Sequence, residues 1–158
     1  MLPKEHLDRT LFEKLLELAP DTPARWGRMN AQQMVEHLAL PFGLAFGHVD
    51  VPVLGTEEQV AKRRWHTFEN RTPIPKGLRV PFVSEEPTPA FYPDLPTAIA
   101  ALRETVDHFF ASYEEDPQKT AAHPLLGRLD KTLWEDFLWM HTTHHLQQFG
   151  LLPESDPS

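Results

Sequence analysis

Four segments of the chain carry apolar residues at spacings of three and four, the pattern of an amphipathic helix. Helix A is predicted around the stripe from Leu7 to Leu18 and ends at Pro20. Helix B begins at Asn30, which forms a capping-box pattern with Gln33 three residues later. The N-terminal part of the chain is therefore predicted to be helical.

Two further helices are predicted in the C-terminal half of the chain. Helix C follows the entry signal at Pro96 and carries an apolar stripe from Ile99 to Tyr113. Helix D has Asp130 as its N-cap and is closed by Gly150. Few strand signals accompany these four patterns, which predicts an all-α fold.

The stretch between helices B and C is rich in proline. Residues 48–96 hold eight of the chain's 16 prolines and contain one helical pattern, from Thr56 to Asn70. Pro41 interrupts helix B and predicts that the helix bends or ends there. The whole chain, residues 1–158, is therefore expected to form one four-helix-bundle domain with a long proline-rich crossover between helices B and C.

Composition limits the partners and the location that we expect. The chain has no cysteine, which excludes disulfides, thiolate metal ligands and a cysteine nucleophile of its own. Its net charge of −8 disfavours binding to nucleic acid or to an anionic membrane, and the basic run from Lys62 to Arg64 is interpreted as a solvated helix face. With no signal-peptide core and no long apolar run, the expected location is the cytoplasm.

Three of the nine histidines lie in the segment HTTHH of helix D. His141 and His145 are four residues apart, so they share one helix face and lie near enough to bind one ion. The pair continues the apolar stripe of the helix. Two such histidines can also be an ordinary hydrogen-bonded pair, but burying both without a metal is costly. His144 points to another side and is expected to flank the site.

A third ligand must come from a neighbouring helix, and His37 of helix B is the candidate. A lone histidine at this position also fits an ordinary core residue. Three neutral nitrogen ligands suit zinc, nickel or another late first-row divalent ion and leave positions open for water or substrate. Gln33 and Gln148 each lie one turn from a proposed ligand and are candidates for orienting it, although the polarity of an exposed helix face explains both residues as well. Glu36 is expected to be solvated.

Other sites find no support in the sequence. The motif H-E-x-x-H, the paired E-x-x-H motifs of di-iron bundles, G-x-S-x-G, the P-loop and G-x-G-x-x-G are absent. The remaining histidines are interpreted as surface or turn residues: His6, His48, His66, His108 and His123. The tryptophans are interpreted as packing residues: Trp26, Trp65, Trp134 and Trp139.

The segments RWGRMNAQQMVEHL, HPLLGRL and HTTHHLQQFG together resemble a branch of the DinB-like superfamily, whose members are metal-binding four-helix bundles. The resemblance implies a zinc or nickel ion on one histidine of the second helix and on an H-x-x-x-H pair of the last. These positions correspond to His37, His141 and His145. The resemblance implies coverage from about Leu7 to Leu152, makes a homodimer plausible and includes relatives that transfer a small thiol to an electrophile.

The leading hypothesis is a metal-dependent enzyme that joins a low-molecular-weight thiol to a small electrophilic substrate. The lack of cysteine is compatible with a thiol taken from solution. The alternatives are a metal-dependent hydrolase, a non-catalytic metal-binding stress-response bundle and a metal-free structural bundle. Substrate contacts are expected in the proline-rich stretch 48–96.

Overall fold

The structure is a computed structural model that describes residues 2–78 and 84–154. Within those residues the chain is mostly helical, so the all-α class is confirmed in its broad sense. The elements, with the bounds that the structure gives, are α1 (Pro3–Glu5), a π-helical stretch (His6–Thr10), α2 (Leu11–Leu15), α3 (Ala31–Ala45), α4 (Glu57–Arg64), a second π-helical stretch (Trp65–Glu69), α5 (Leu95–Glu115), β1 (Ala121–His123), β2 (Gly127–Leu129) and α6 (Lys131–Gln148).

The predicted helix A corresponds to the run from α1 through α2. Its stripe is confirmed as a core face, because Leu7, Leu11 and Leu15 have no exposed surface. His6 lies on the same buried face, with only 2% of its surface exposed, and its Nε2 lies 2.9 Å from Oγ1 of Thr142 on α6. The prediction that His6 is a surface residue is therefore wrong.

Helix α3 carries the predicted capping box, since the side chains of Asn30 and Gln33 each bond the other's backbone N–H. Of the two outcomes predicted at Pro41, a bend or an end of the helix, the structure excludes the end, because the helix runs on to Ala45. Pro41 cannot donate to the carbonyl of His37, but packing beyond it compensates for the lost bond. Phe42 is fully buried with its ring 5.7 Å from that of Phe109 on α5.

Helix α6 begins at its predicted N-cap, Asp130, whereas α5 begins at Leu95, just before the predicted entry at Pro96, and its N-cap, Asp94, was not predicted. The carboxylate of Asp94 accepts from Thr97 N at 2.8 Å, and that of Asp130 accepts from Leu133 N at 3.0 Å. Helix α5 packs along α3, while α6 packs on α3 and on the N-terminal helical run. The core therefore lies between these helices, and α3 and α6 are neighbours.

A small antiparallel hairpin, β1 and β2, precedes α6 and was not predicted. Ala121 pairs with Leu129 and His123 pairs with Gly127, whose φ of +76° suits the tight turn. The buried ring of Trp134 donates to the Ala121 carbonyl at 3.1 Å. These strands are three residues long, too short for an alternating pattern to be detectable in the sequence.

The crossover contains the predicted helix, as α4 followed by its π-helical stretch and capped by Thr56. Arg63 Nη1 donates to the Leu54 and Leu125 carbonyls at 2.6 and 3.1 Å. Arg64 Nη1 donates to the Leu126 carbonyl at 2.9 Å. Two members of the basic run thus hold the turn of the hairpin, and their interpretation as a solvated face is wrong.

Another part of the crossover, residues 84–94, runs along α3. Glu36 Oε1 accepts from Phe91 N at 2.7 Å, and Gln32 Nε2 donates to the Tyr92 carbonyl at 2.7 Å. The prediction that Glu36 is solvated is therefore wrong, because its carboxylate holds the backbone of the crossover. The predicted connection also includes residues 79–83, which lie outside the described residues, as do residue 1 and residues 155–158 of the predicted domain.

No helix in the described part of the chain is both long enough and apolar enough to span a membrane.

Candidate metal centre

Three histidines from two helices come together between α3 and α6. One ring nitrogen from each of His37, His141 and His145 forms a group in which all the atoms lie within 4.8 Å of one another. The Nε2 atoms of His37 and His141 are 3.1 Å apart. Nitrogens bound to one tetrahedral zinc ion at about 2.0–2.1 Å would lie about 3.3 Å apart. The group therefore could hold a metal ion without large movement.

The orientation of His145 is set by Gln148, one turn further along α6. The Gln148 amide nitrogen donates to the Trp26 carbonyl at 2.9 Å, so its Oε1 must be the atom that faces His145 Nδ1 at 2.7 Å. An amide oxygen only accepts, so Nδ1 carries the hydrogen and Nε2 keeps its lone pair. The predicted role of Gln148 in orienting a ligand is supported by this contact.

A glycine allows this arrangement. A Cβ placed on Gly27 would lie 2.7 Å from the Gln148 amide nitrogen, and the residue's φ is +81°. Both the close approach and the left-handed backbone require glycine. The turn before α3 is therefore linked to His145 by hydrogen bonds, from the Trp26 carbonyl through the Gln148 side chain.

His141 is positioned by packing rather than by a hydrogen bond. Its ring stacks on Phe137, with the centroids 5.8 Å apart and the planes 16° apart. Its Nδ1 is enclosed and has no hydrogen-bond partner within residues 2–78 and 84–154. The Nε2 atom is consequently the one that faces the other two histidines, as a shared ion would require.

The environment keeps the three imidazoles neutral. Burial, with neighbouring imidazoles adding to it, lowers the pKa of His141 well below its usual 6.5 and lowers the pKa of His145 to about 3. Burial, followed by His144, also lowers the pKa of His37. A neutral imidazole is the form that binds a metal. The donor set of three neutral nitrogens thus fits a divalent ion.

Residues 5–151 match the model of a family described as protein of unknown function (DUF1569). The chain belongs to this family. None of the curated proteins and none of the solved structures matches the chain.

The DUF1569 match spans all three histidines and the turn that contains Gly27. His144, also within the match, lies outside the three-histidine group. Its ring lies 5.5 Å from that of Trp26 and 5.1 Å from that of His145. The structure therefore places His144 at the flank of the site, as the helical phase predicts.

Of the two readings open for Gln33 in this DUF1569 chain, the orienting role is the one that the structure does not support, and the surface position expected for His123 is wrong. Gln33 bonds the Asn30 N–H and the Thr88 carbonyl rather than a ligand. His123 is buried, with 8% of its surface exposed, and was missed because no periodic pattern marks the hairpin. The remaining three non-site histidines are exposed as predicted: His48, His66 and His108.

The tryptophans differ in burial. Trp134 is fully buried and confirms its interpretation as a packing residue, whereas Trp65 is 52% exposed. Trp26 lies beside the metal centre and carries the Lys76 ammonium 4.3 Å from its ring centroid. Together with Phe137, it gives the site aromatic surroundings.

Proposed function

We propose that this chain is a metal-dependent transferase that joins a small cellular thiol to an electrophile at the centre formed by His37, His141 and His145. The observation that carries the proposal is the convergence of three neutral imidazoles in a protein without cysteine. The ion is zinc or nickel, and the fold is a DinB-like four-helix bundle. The coordination positions that the three histidines leave open bind small molecules.

The donor set supports an ion that keeps its full positive charge. No carboxylate belongs to the group formed by the described residues. A zinc or nickel ion held there would lower the pKa of an incoming thiol or water, which supplies a nucleophile at neutral pH. Within residues 2–78 and 84–154, Nδ1 of His145 bonds Gln148 and Nε2 has no hydrogen-bond partner, which leaves Nε2 for the ion. Three protein ligands leave coordination positions open for a small molecule.

The reaction balances without a cysteine of the protein. The thiol gives up its proton to solvent, and its sulfur electron pair forms a bond to the electrophilic carbon. If the electrophile carries a leaving group, that group departs with the electron pair of its bond to carbon. If the thiol adds to a double bond instead, the product takes up one proton. The chain's own residues bind and orient, with Gln148 fixing His145 and Phe137 supporting His141.

The cellular setting proposed for this activity is the cytoplasm, where low-molecular-weight thiols are reduced. The proposed partners are small molecules and a second copy of this chain, and neither nucleic acid nor membrane is included. Large exposed apolar side chains offer surface for the second copy, among them Leu16, Leu40 and Phe91.

Conjugation of a thiol tests this function. Metal-loaded protein is incubated with monochlorobimane and with glutathione, bacillithiol or mycothiol in turn, and conjugate is followed beside His145→Ala and His108→Ala. We expect the wild type to accelerate conjugation of one of the three thiols. The rate of that conjugation should be at least about tenfold lower with His145→Ala. His108 is exposed on α5, so its variant should keep the wild-type rate. Equal rates for wild type and His145→Ala with all three thiols would reject the transferase, leaving hydrolysis or a non-catalytic centre.

A further inference from the structure

His123, in the hairpin that precedes α6, has two ring nitrogens with different surroundings. Its Nδ1 accepts the backbone N–H groups of Leu125 and Leu126 at 3.0 and 3.2 Å. An imidazole nitrogen that accepts carries no hydrogen, so the ring hydrogen of the neutral form is on Nε2. The turn of the hairpin therefore fixes His123 as an N–H donor at Nε2.

Within the described ranges this donor has no protein acceptor, because the side-chain hydrogen bonds of His123 are the two that Nδ1 accepts. The residue is 8% exposed. Leaving a buried donor unpaired costs free energy, and buried donors in folded proteins are paired by protein, water or ligand. His123 is not fully enclosed, and its small exposed surface is where a molecule from solution can approach the residue.

The ring of His123 lies near the metal centre. The His123 ring contacts the Phe137 ring at 4.6 Å between centroids, and Phe137 is the ring on which His141 stacks. Strand β1 also packs against α3, the helix that carries His37. The contact with Phe137 is edge-to-face, and an aromatic face is a much weaker acceptor than an oxygen. Only one ring thus separates the unpaired donor from a proposed ligand.

We propose that His123 binds the substrate of the metal centre by donating Nε2–H to a carboxylate or carbonyl oxygen of that molecule. This inference rests on the proposed function and narrows it to a thiol that carries an oxygen acceptor a few bonds from its sulfur. Burial lowers the pKa of His123 to about 4, so the ring is a neutral donor at neutral pH. The role is substrate binding, separate from holding the ion.

Two thiols of matched length test this role. Protein loaded with cobalt(II) is titrated with 3-mercaptopropionate and with 1-propanethiol, which lacks the carboxylate, and binding is followed by visible absorption. The wild type should bind 3-mercaptopropionate more tightly. In His123→Asn the side-chain oxygen can still accept from the turn, but the Nε2 donor is gone. We expect this variant to bind 3-mercaptopropionate about tenfold more weakly and 1-propanethiol unchanged.

Controls separate this inference from the function on which it rests. His108→Asn changes an exposed histidine and should bind both thiols like the wild type. If His123→Asn fails to fold, His123→Ser supplies a hydroxyl acceptor for the same turn. A carboxylate preference that survives in the His123 variant, or that is absent in the wild type, would overturn the role of His123 alone. Wild-type protein that takes up no cobalt, or binds neither thiol, would overturn the proposed function as well.

Discussion

Oε1 of Gln148 lies 2.7 Å from Nδ1 of His145, while the amide nitrogen of the same side chain donates to the Trp26 carbonyl. The amide therefore connects the turn before α3 to a candidate metal ligand on α6. It selects the tautomer of His145 that presents Nε2 to the other two histidines.

The first prediction is that Gln148→Leu weakens metal binding about 10- to 100-fold, because His145 loses the partner that orients it. Gln148 is only 4% exposed, so an apolar replacement stays out of contact with water. The measurement is zinc affinity by competition with a chromophoric chelator. Gln147→Leu is the matched control, since the Gln147 side chain bonds the Pro153 carbonyl instead. Equal affinities for both variants would show that Gln148 does not orient the ligand.

Much of the helical framework could be predicted because its signals are local. The capping box at Asn30, the N-cap at Asp130 and the four-residue spacing of His141 and His145 depend on residues within one helix. The partnership of that pair with His37 needed an assumption about which helices face each other, and the structure brings the three residues together. Whether the helices form the expected four-helix bundle stays a prediction.

The errors share a physical cause, which is contact between segments far apart in the sequence. Pro41 does not end α3, because burial of Phe42 against α5 outweighs one missing hydrogen bond. Arg63 binds carbonyls of the hairpin, and Glu36 binds the backbone of the crossover. No pattern within one segment reports such contacts.

A second prediction concerns acid stability. Burial lowers the pKa of His6 from 6.5 to about 4. The unfolded chain takes up a proton at His6 below pH 6.5 while the folded chain does not, so stability present above pH 6.5 is lost as pH falls to about 4. His6→Gln can still donate to Thr142 Oγ1, which itself donates to the Leu138 carbonyl. Over this pH range we expect the unfolding free energy of His6→Gln to fall by roughly 2–3 kcal/mol less than that of the wild type.

Urea unfolding of the two proteins at intervals between pH 7 and pH 4 measures this difference. His108→Gln serves as the control, because His108 is exposed and its variant should follow the wild type. Parallel curves for wild type and His6→Gln would mean that His6 does not remain neutral in the folded protein.

A third prediction concerns the crossover along α3. Glu36→Leu removes the carboxylate that accepts from the Phe91 N–H. A hydrogen bond to a charged group is worth about 1.5–3 kcal/mol. Amide hydrogen exchange at Phe91 should become at least about tenfold faster, as measured by mass spectrometry of peptides from residues 84–94. Glu104→Leu, on the exposed side of α5, should leave this exchange unchanged. Exchange that is the same in all three proteins would show that Glu36 does not hold the crossover.

Elemental analysis of protein purified without a histidine tag measures whether His37, His141 and His145 hold one divalent ion. We expect about one zinc or nickel ion per chain in the wild type and in His144→Ala, and almost none in the His141→Ala/His145→Ala double variant. Retention in His144→Ala follows from its place outside the three-histidine group. Wild-type protein that neither contains nor takes up a divalent ion, or a double variant that retains it, would show that the three histidines do not form a metal site.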